Sequence, residues 1–159
     1  MEHGERGCAL LGEFGERGIL STTLAMLAEA YYALDRLDDA DSEAGRAAEL
    51  GARDDARTQM HWRQVRAKVL GRRGEHAEGE RLAREAVALG EQTDLLSYQA
   101  DAYADLAETL LLAGRAREAE EALQEALARY ERKGNLVMAE RARKKLADLR
   151  PETAPSEQI

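Results

Sequence analysis

Apolar residues recur at intervals of three and four along most of the chain. Tyr103, Leu106, Ala107 and Leu110 form one stripe, answered after a short polar turn by Ala119, Leu123, Ala126 and Leu127. That is the period of amphipathic helices packed as an antiparallel pair. Three such pairs follow from the turns ALDRLDDA (33–40), GRRGEHAEG (71–79) and LAGRAREA (112–119). These align Asp35, Gly74 and Gly114 at spacings of 39 and 40 residues. A fixed period of this length marks a repeat architecture. Small residues keep matching offsets around each turn: Ala28, Ala67 and Ala107 before it, Ala40, Gly79 and Ala119 just after, then Ala47, Ala86 and Ala126. A large side chain at any of them would force the paired helices apart.

The pattern predicts first helices over about 21–34, 54–73 and 94–113, and second helices over about 36–50, 75–90 and 115–132. Ser21, Asp54 and either Thr93 or Asp94 are the expected N-caps, with side-chain oxygens for the orphan amides of the first turn. Gly51, Gly90 and Gly134 stand where left-handed C-cap residues are expected. Residues 8–15 read as the second helix of an earlier repeat that lacks its first helix. Residues 135–149 read as a capping helix, with Ala139, Ala142, Leu146 and Leu149 on one stripe. A single domain over 1–150 and a disordered tail over 151–159, begun by Pro151, complete the expectation.

Composition supports helices throughout. The 159 residues include 30 alanines but only six valines and isoleucines together, too few strand formers for a sheet. The fold class is therefore all-α. No run approaches the roughly 18 apolar residues of a spanning helix, and the N-terminus lacks the apolar core of a signal peptide. Cys8 is the only cysteine, so no internal disulfide can form. A reducing cytoplasm is the expected compartment, and a small buried hydrophobe the expected role of that thiol.

The repeat resembles the tetratricopeptide repeat, a helix–turn–helix unit stacked into a right-handed α-solenoid. Its first-helix pattern appears as Tyr103-x2-Leu106-Ala107-x2-Leu110 and as Leu24-x2-Leu27-Ala28-x2-Tyr31. The second hairpin departs from it, because Arg63 and Arg66 hold places that should be apolar and Trp62 sits one residue early. Those arginines call for either a rotated helix or stems buried with their heads exposed. The family's closing proline is absent, and the period exceeds the usual ~34 residues. Residues 8–149, including WRQVRAKVLGRRGEHAEGERLAREAVAL, are similar to the C-terminal repeat region of large actinobacterial regulators. Those couple a signalling ATPase to a nucleotide-cyclase or DNA-binding module. No ATPase or cyclase residue is present to carry over. The resemblance implies a fragment of a larger regulator acting as a non-catalytic protein-interaction scaffold.

In the family the first helices line a concave groove for a peptide or a partner protein. Carried over by position, that groove comprises Thr22, Glu29 and Tyr32; His61, Gln64, Lys68 and Arg72; and Asp101, Glu108 and Leu112. Glu29, Lys68 and Glu108 alternate in sign, which suits a salt-bridge ladder between helices as well as a site for an acidic-centred peptide. Net charge, −8 overall, is segregated in the same way. Residues 56–73 carry six bases and no acid, between acidic stretches at 35–55 and 91–114. Pairing between helices explains this better than a nucleic-acid site, since the acidic whole repels a polyanion. Neither GxxxxGK[ST], GxGxxG nor HExxH occurs. Three scattered histidines and one cysteine do not suggest a metal site, so no enzyme activity and no cofactor are expected. His3 falls in a terminus expected to fray, and His76 in a turn where packing is its expected role. Two further readings remain open: a homodimer through the open N-terminal edge, and a small effector held in the groove.

Overall fold

The computed structural model describes residues 2–149; the tail expected at 151–159 lies outside them. They form eight helices: α1 (Glu2–Glu13), α2 (Arg17–Ala33), α3 (Leu37–Leu50), α4 (Ala56–Arg72), α5 (His76–Glu91), α6 (Leu96–Leu112), α7 (Ala116–Lys133) and α8 (Leu136–Leu149). No strand occurs among the described residues. The architecture is an all-α solenoid of hairpins α2–α3, α4–α5 and α6–α7. Helix α1 packs on α2, α3 on α4, and α8 on α7. The first helices are each 17 residues long. Their length and the links 51–55 and 92–95 absorb the residues beyond the usual repeat.

The hairpin turns explain the aligned positions. Asp35, Gly74 and Gly114 all adopt left-handed backbone, with φ of 59°, 82° and 74°. Beyond each, an amide reaches back to a carbonyl five residues earlier: Arg36 to Tyr31, Glu75 to Leu70 and Arg115 to Leu110, all at 2.9 Å. This bond satisfies a carbonyl at the end of the first helix and turns the chain sharply into the second. Gly134 ends α7 in the same left-handed conformation, as expected.

The other caps differ from the sequence expectation. Ser21 is buried inside α2, which begins four residues earlier, and its hydroxyl donates to the Gly18 carbonyl at 2.9 Å. The cap of α4 is Asp55, one residue past Asp54, accepting from the Thr58 amide at 3.2 Å. Leu95 occupies the cap of α6, while Thr93 Oγ1 accepts from the Leu95 amide. Gly51 is extended, and Gly90 lies within α5, where a Cβ would meet Met60 Cε at 2.8 Å. No left-handed turn holds glycine there, and its close neighbour is the flexible end of Met60. The expected remnant at 8–15 is a 12-residue helix reaching back to Glu2, so His3 is helical. His76 is exposed at the start of α5, so it has no packing role.

Small residues make the hairpins close. Ala28, Ala67 and Ala107 and their partners Ala40, Ala47, Ala86, Ala119 and Ala126 are all buried. Cys8, Leu24, Tyr31, Val65 and Val69 form one cluster across α1–α4, and Met60, Leu70, Leu82, Leu106, Leu110 and Leu123 a second across α4–α7. Trp62 packs against both. Ala67 and Leu70 face the core in step with Ala28 and Tyr31, so α4 is not rotated. Instead Arg63 stacks on Trp62 at 4.1 Å and bonds Glu85, while Arg66 reaches Asp41 at 2.9 Å.

The tightest approach is at Gly79, where a Cβ would stand 2.8 Å from the Ala67 carbonyl oxygen and 3.3 Å from the Gly71 nitrogen. Both are backbone atoms and cannot swing aside. Gly79→Ala gains alanine's helix preference of about 1 kcal/mol but incurs an overpacking strain of about 1–3 kcal/mol. The expected result is a lower urea midpoint, and a stabilised variant would refute the contact.

Candidate binding groove

Helices α2, α4 and α6 start 39 and 40 residues apart, so equivalent side chains stand level across the three. Lys68 projects from the middle helix and is 3% exposed. Its Nζ donates to both oxygens of Glu29 at 2.7 and 2.9 Å, and lies 3.0 Å from Asp105 Oδ1. It also rests 4.9 Å from the centre of the Tyr32 ring. Burial alone would lower the pKa of this ammonium, but the Asp105 and Glu29 carboxylates hold it well above the ordinary lysine range. One cation is thus clamped by carboxylates from the helices on either side.

The remaining polar groups extend this network. Gln64 donates to Asp105 Oδ2 at 2.9 Å, and Tyr32 donates to Glu108 Oε1 at 2.6 Å. Thr22 and Thr58 share a hydroxyl bond of 2.9 Å between α2 and α4. Tyr130, almost fully buried on α7, donates to Asp101 Oδ1 at 2.6 Å. Burial pushes the Asp101 carboxyl up while this bond opposes the shift. Arg72 sits at the exposed end of α4 and donates to Asp35 at 2.6 Å. Leu112 packs against Gly71, where a Cβ would lie 2.9 Å from its Cδ1.

A concavity of about 280 Å³ opens over this network, lined by Glu29, His61, Gln64, Tyr98, Asp101, Ala104, Asp105, Tyr130, Met138 and Lys145. It therefore unites Glu29, His61, Gln64 and Asp101 of the expected set. Lys68 is not among the lining residues, and its charge is engaged by Glu29 and Asp105. Thr22, Tyr32, Arg72, Glu108 and Leu112 stand outside the lining. An acidic-centred ligand, as the alternating signs suggested, would find Lys68 already paired; the exposed cation of α4 beside the concavity is Arg57, which stacks on the Tyr98 ring. The carboxylates remain accessible, with side-chain exposures of 40% for Glu29, 20% for Asp105 and 33% for Glu108.

Sequence reasoning missed Asp105, Tyr98, Tyr130, Met138 and Lys145. Asp105 follows Asp101 by four and precedes Glu108 by three, so helical spacing alone places all three on one face. Its register equivalents, Val65 and Met26, are apolar, which hid it. Tyr130 belongs to a second helix, and Met138 and Lys145 to α8, outside the first-helix set.

The basic helix between acidic neighbours is an ion-paired helix. Arg73 reaches Asp38 and Asp41 at 2.5 and 2.9 Å, Arg66, Arg72, Lys68 and Arg63 have the partners given above, and Arg57 stacks 5.5 Å from the Tyr98 ring. Among the described residues no group of three or more His, Cys, Asp or Glu side chains could hold a metal ion. No helix there is long and apolar enough to cross a membrane.

Burial lowers the pKa of His61, opposed by Asp105 and assisted by Lys68 and Arg57. A depressed folded-state value makes the unfolded chain the better proton acceptor below pH 6.5. Stability linked to this residue is thus complete above that pH and falls on acidification. Urea midpoints at pH 7.5 and 5.5 are expected to drop more for the parent chain than for His61→Gln; equal drops would exclude a buried neutral imidazole.

Residues 57–132 match the family model described as tetratricopeptide repeat. No curated protein matches the chain.

Proposed function

We infer, from the premise that residues 57–132 of this chain are tetratricopeptide repeats, that it is a binding scaffold whose groove takes a basic segment of a partner protein. Repeats of this family generally mediate protein–protein interaction, and the module is typically non-catalytic. The observation that carries the finer reading is the sign of the accessible groups. Glu29, Asp101 and Asp105 line the concavity, while Lys68 is already paired with Glu29 and Asp105.

A lysine or arginine side chain entering there would meet carboxylate oxygens with lone pairs to spare. The neutral imidazole of His61 offers an acceptor nitrogen, and the rings of Tyr98 and Tyr130 offer apolar walls. Charged hydrogen bonds in such a half-enclosed place are about twice as strong as neutral ones. Lys145 at the rim would meet a carboxylate flanking the basic residue.

The test is titration of the ¹⁵N-labelled chain with a Lys/Arg-containing decapeptide and with its Asp/Glu counterpart. Shifts at His61, Asp101, Ala104 and Asp105 are expected with the basic peptide alone, weakening as salt is raised. Preference for the acidic peptide, or shifts confined to the outer surface, would sink the reading.

A further inference from the structure

A second concavity, of about 470 Å³, opens on the opposite side of α6 from the groove. Tyr103 and Leu106 lie roughly half a turn around the helix from Asp101, Asp105 and Glu108. They line it together with Arg84 of α5 and with Glu118, Glu121 and Glu125 of α7. Three acids thus stand there with one base, and that base already donates to Glu80 at 2.8 Å.

The preceding repeat carries cations at the same place. Helix α4 contacts α3 and α5, and α6 contacts α5 and α7. The alignment of Ala67 with Ala107 and of Gly79 with Ala119 makes Tyr103 and Leu106 the equivalents of Arg63 and Arg66. It likewise makes Glu118, Glu121 and Glu125 the equivalents of Glu78, Arg81 and Glu85. In the earlier repeat all three arginines are engaged. Arg63 donates to Glu85 at 3.1 Å and Arg66 to Asp41 at 2.9 Å, so guanidinium groups reach from α4 to both flanking helices. Arg81 donates to Glu78 at 2.8 Å and also to Glu85, bridging the two.

In the later repeat both carboxylates of that bridge are kept, as Glu118 and Glu125, and all three arginines are replaced. Glu121 sets a third acid where the bridging guanidinium stood, and like charges one turn apart on a helix repel. Within the chain Glu118 pairs with Arg115, Glu125 with Arg129 and Glu121 with Arg117. Arg117 is 92% exposed and 3.5 Å away, so Glu121 is the most weakly held of the three.

The missing groups identify the occupant. We propose that this concavity receives an arginine side chain of a partner protein, its guanidinium bridging Glu118, Glu121 and Glu125 and its stem lying along Tyr103 and Leu106. A planar fork with several donors suits acids spaced by one turn better than the point charge of lysine does. The site shares no lining residue with the groove and is independent of the basic-segment reading given to it.

Titration of the ¹⁵N-labelled chain with acetyl-Ala-Arg-Ala-Ala-Arg-Ala-amide, and with its lysine counterpart, tests this. Amide shifts at Glu118, Glu121, Ala122 and Glu125 are expected, with arginine bound at least about threefold more tightly than lysine. Glu121→Arg restores the bridge that α5 carries and should weaken binding at these amides about tenfold or more, leaving any shifts at His61 and Asp105 unchanged. Glu121 is 64% exposed, so the variant should keep the parent's helical circular dichroism, and its urea midpoint should rise as repulsion gives way to pairing. Glu121→Gln removes the charge without supplying a guanidinium and should weaken binding less. Equal binding by the parent and Glu121→Arg, equal affinity for the two peptides, or no shift on α7 overturns the proposal. Shifts of the same amides on concentrating the chain alone overturn it in favour of a second copy as the source of the arginine.

Discussion

Lys68→Met lowers the unfolding free energy by about 3–5 kcal/mol, the range for removing one partner from a buried charge network. The methionine fills similar space, so the loss measures the stranded carboxylates of Glu29 and Asp105 more than a cavity. Chemical denaturation of the parent and the variant checks this. Asp105→Asn placed on top of Lys68→Met should recover part of the loss, because it removes one of the two uncompensated acids. A change below about 1 kcal/mol would mean that Lys68 behaves as a surface ion pair. The pH dependence is equally specific. Folding raises the lysine's pKa, so its contribution is complete below its ordinary value of 10.5 and declines only in stronger alkali. Its loss is therefore undiminished across the neutral range.

Tyr130→Ala has a comparable effect, about 3–5 kcal/mol for truncating a fully buried aromatic side chain. Tyr130 is 1% exposed, in a cluster with Ala100, Ala126, Ala139 and Ala142 where α6, α7 and α8 meet. Its buried partners are alanines, too short to collapse into the space it would vacate, with Tyr103, Leu127 and Met138 packed at the edge. Tyr130→Phe separates packing from polarity. The ring is kept while Asp101 loses the hydrogen bond it accepts at 2.6 Å, at a stability loss of about 1–3 kcal/mol. That bond opposes the upward push of burial on the Asp101 carboxyl. Without it the carboxyl pKa rises further, which carbonyl-region NMR titration would record. An unchanged titration would show that Tyr130 does not hold Asp101.

The repeat was readable because its strongest constraints are local. Ala28, Ala67 and Ala107 face Ala40, Gly79 and Ala119 wherever two helices approach, and a larger residue cannot be hidden there. The turn residues were equally visible, since Asp35, Gly74 and Gly114 share one backbone conformation. Caps such as Ser21 and Gly90 were misplaced because polar and small residues serve inside these helices too, Ser21 by bonding Gly18 and Gly90 by admitting Met60. In the groove, the residues of the first helices could be placed by family position, but their burial could not. Whether Lys68 is exposed depends on Glu29 and Asp105 arriving from helices 39 and 37 residues away. Asp105 itself replaces an apolar position of the other repeats, so periodicity argued against it. Tyr130 and Lys145 enter from elements whose orientation only the packed chain reveals.

The Glu29–Lys68–Asp105 clamp ties α2, α4 and α6 together at a single atom, the lysine nitrogen. In a modular stack, each hairpin could melt on its own if contacts between neighbours were weak. Here one hairpin cannot leave without exposing a charge mismatch in another, so the central three should unfold in a single cooperative step. The end helices α1 and α8 stand outside that clamp. Native-state hydrogen exchange should find them opening first, while amides of α2, α4 and α6 share one higher opening energy.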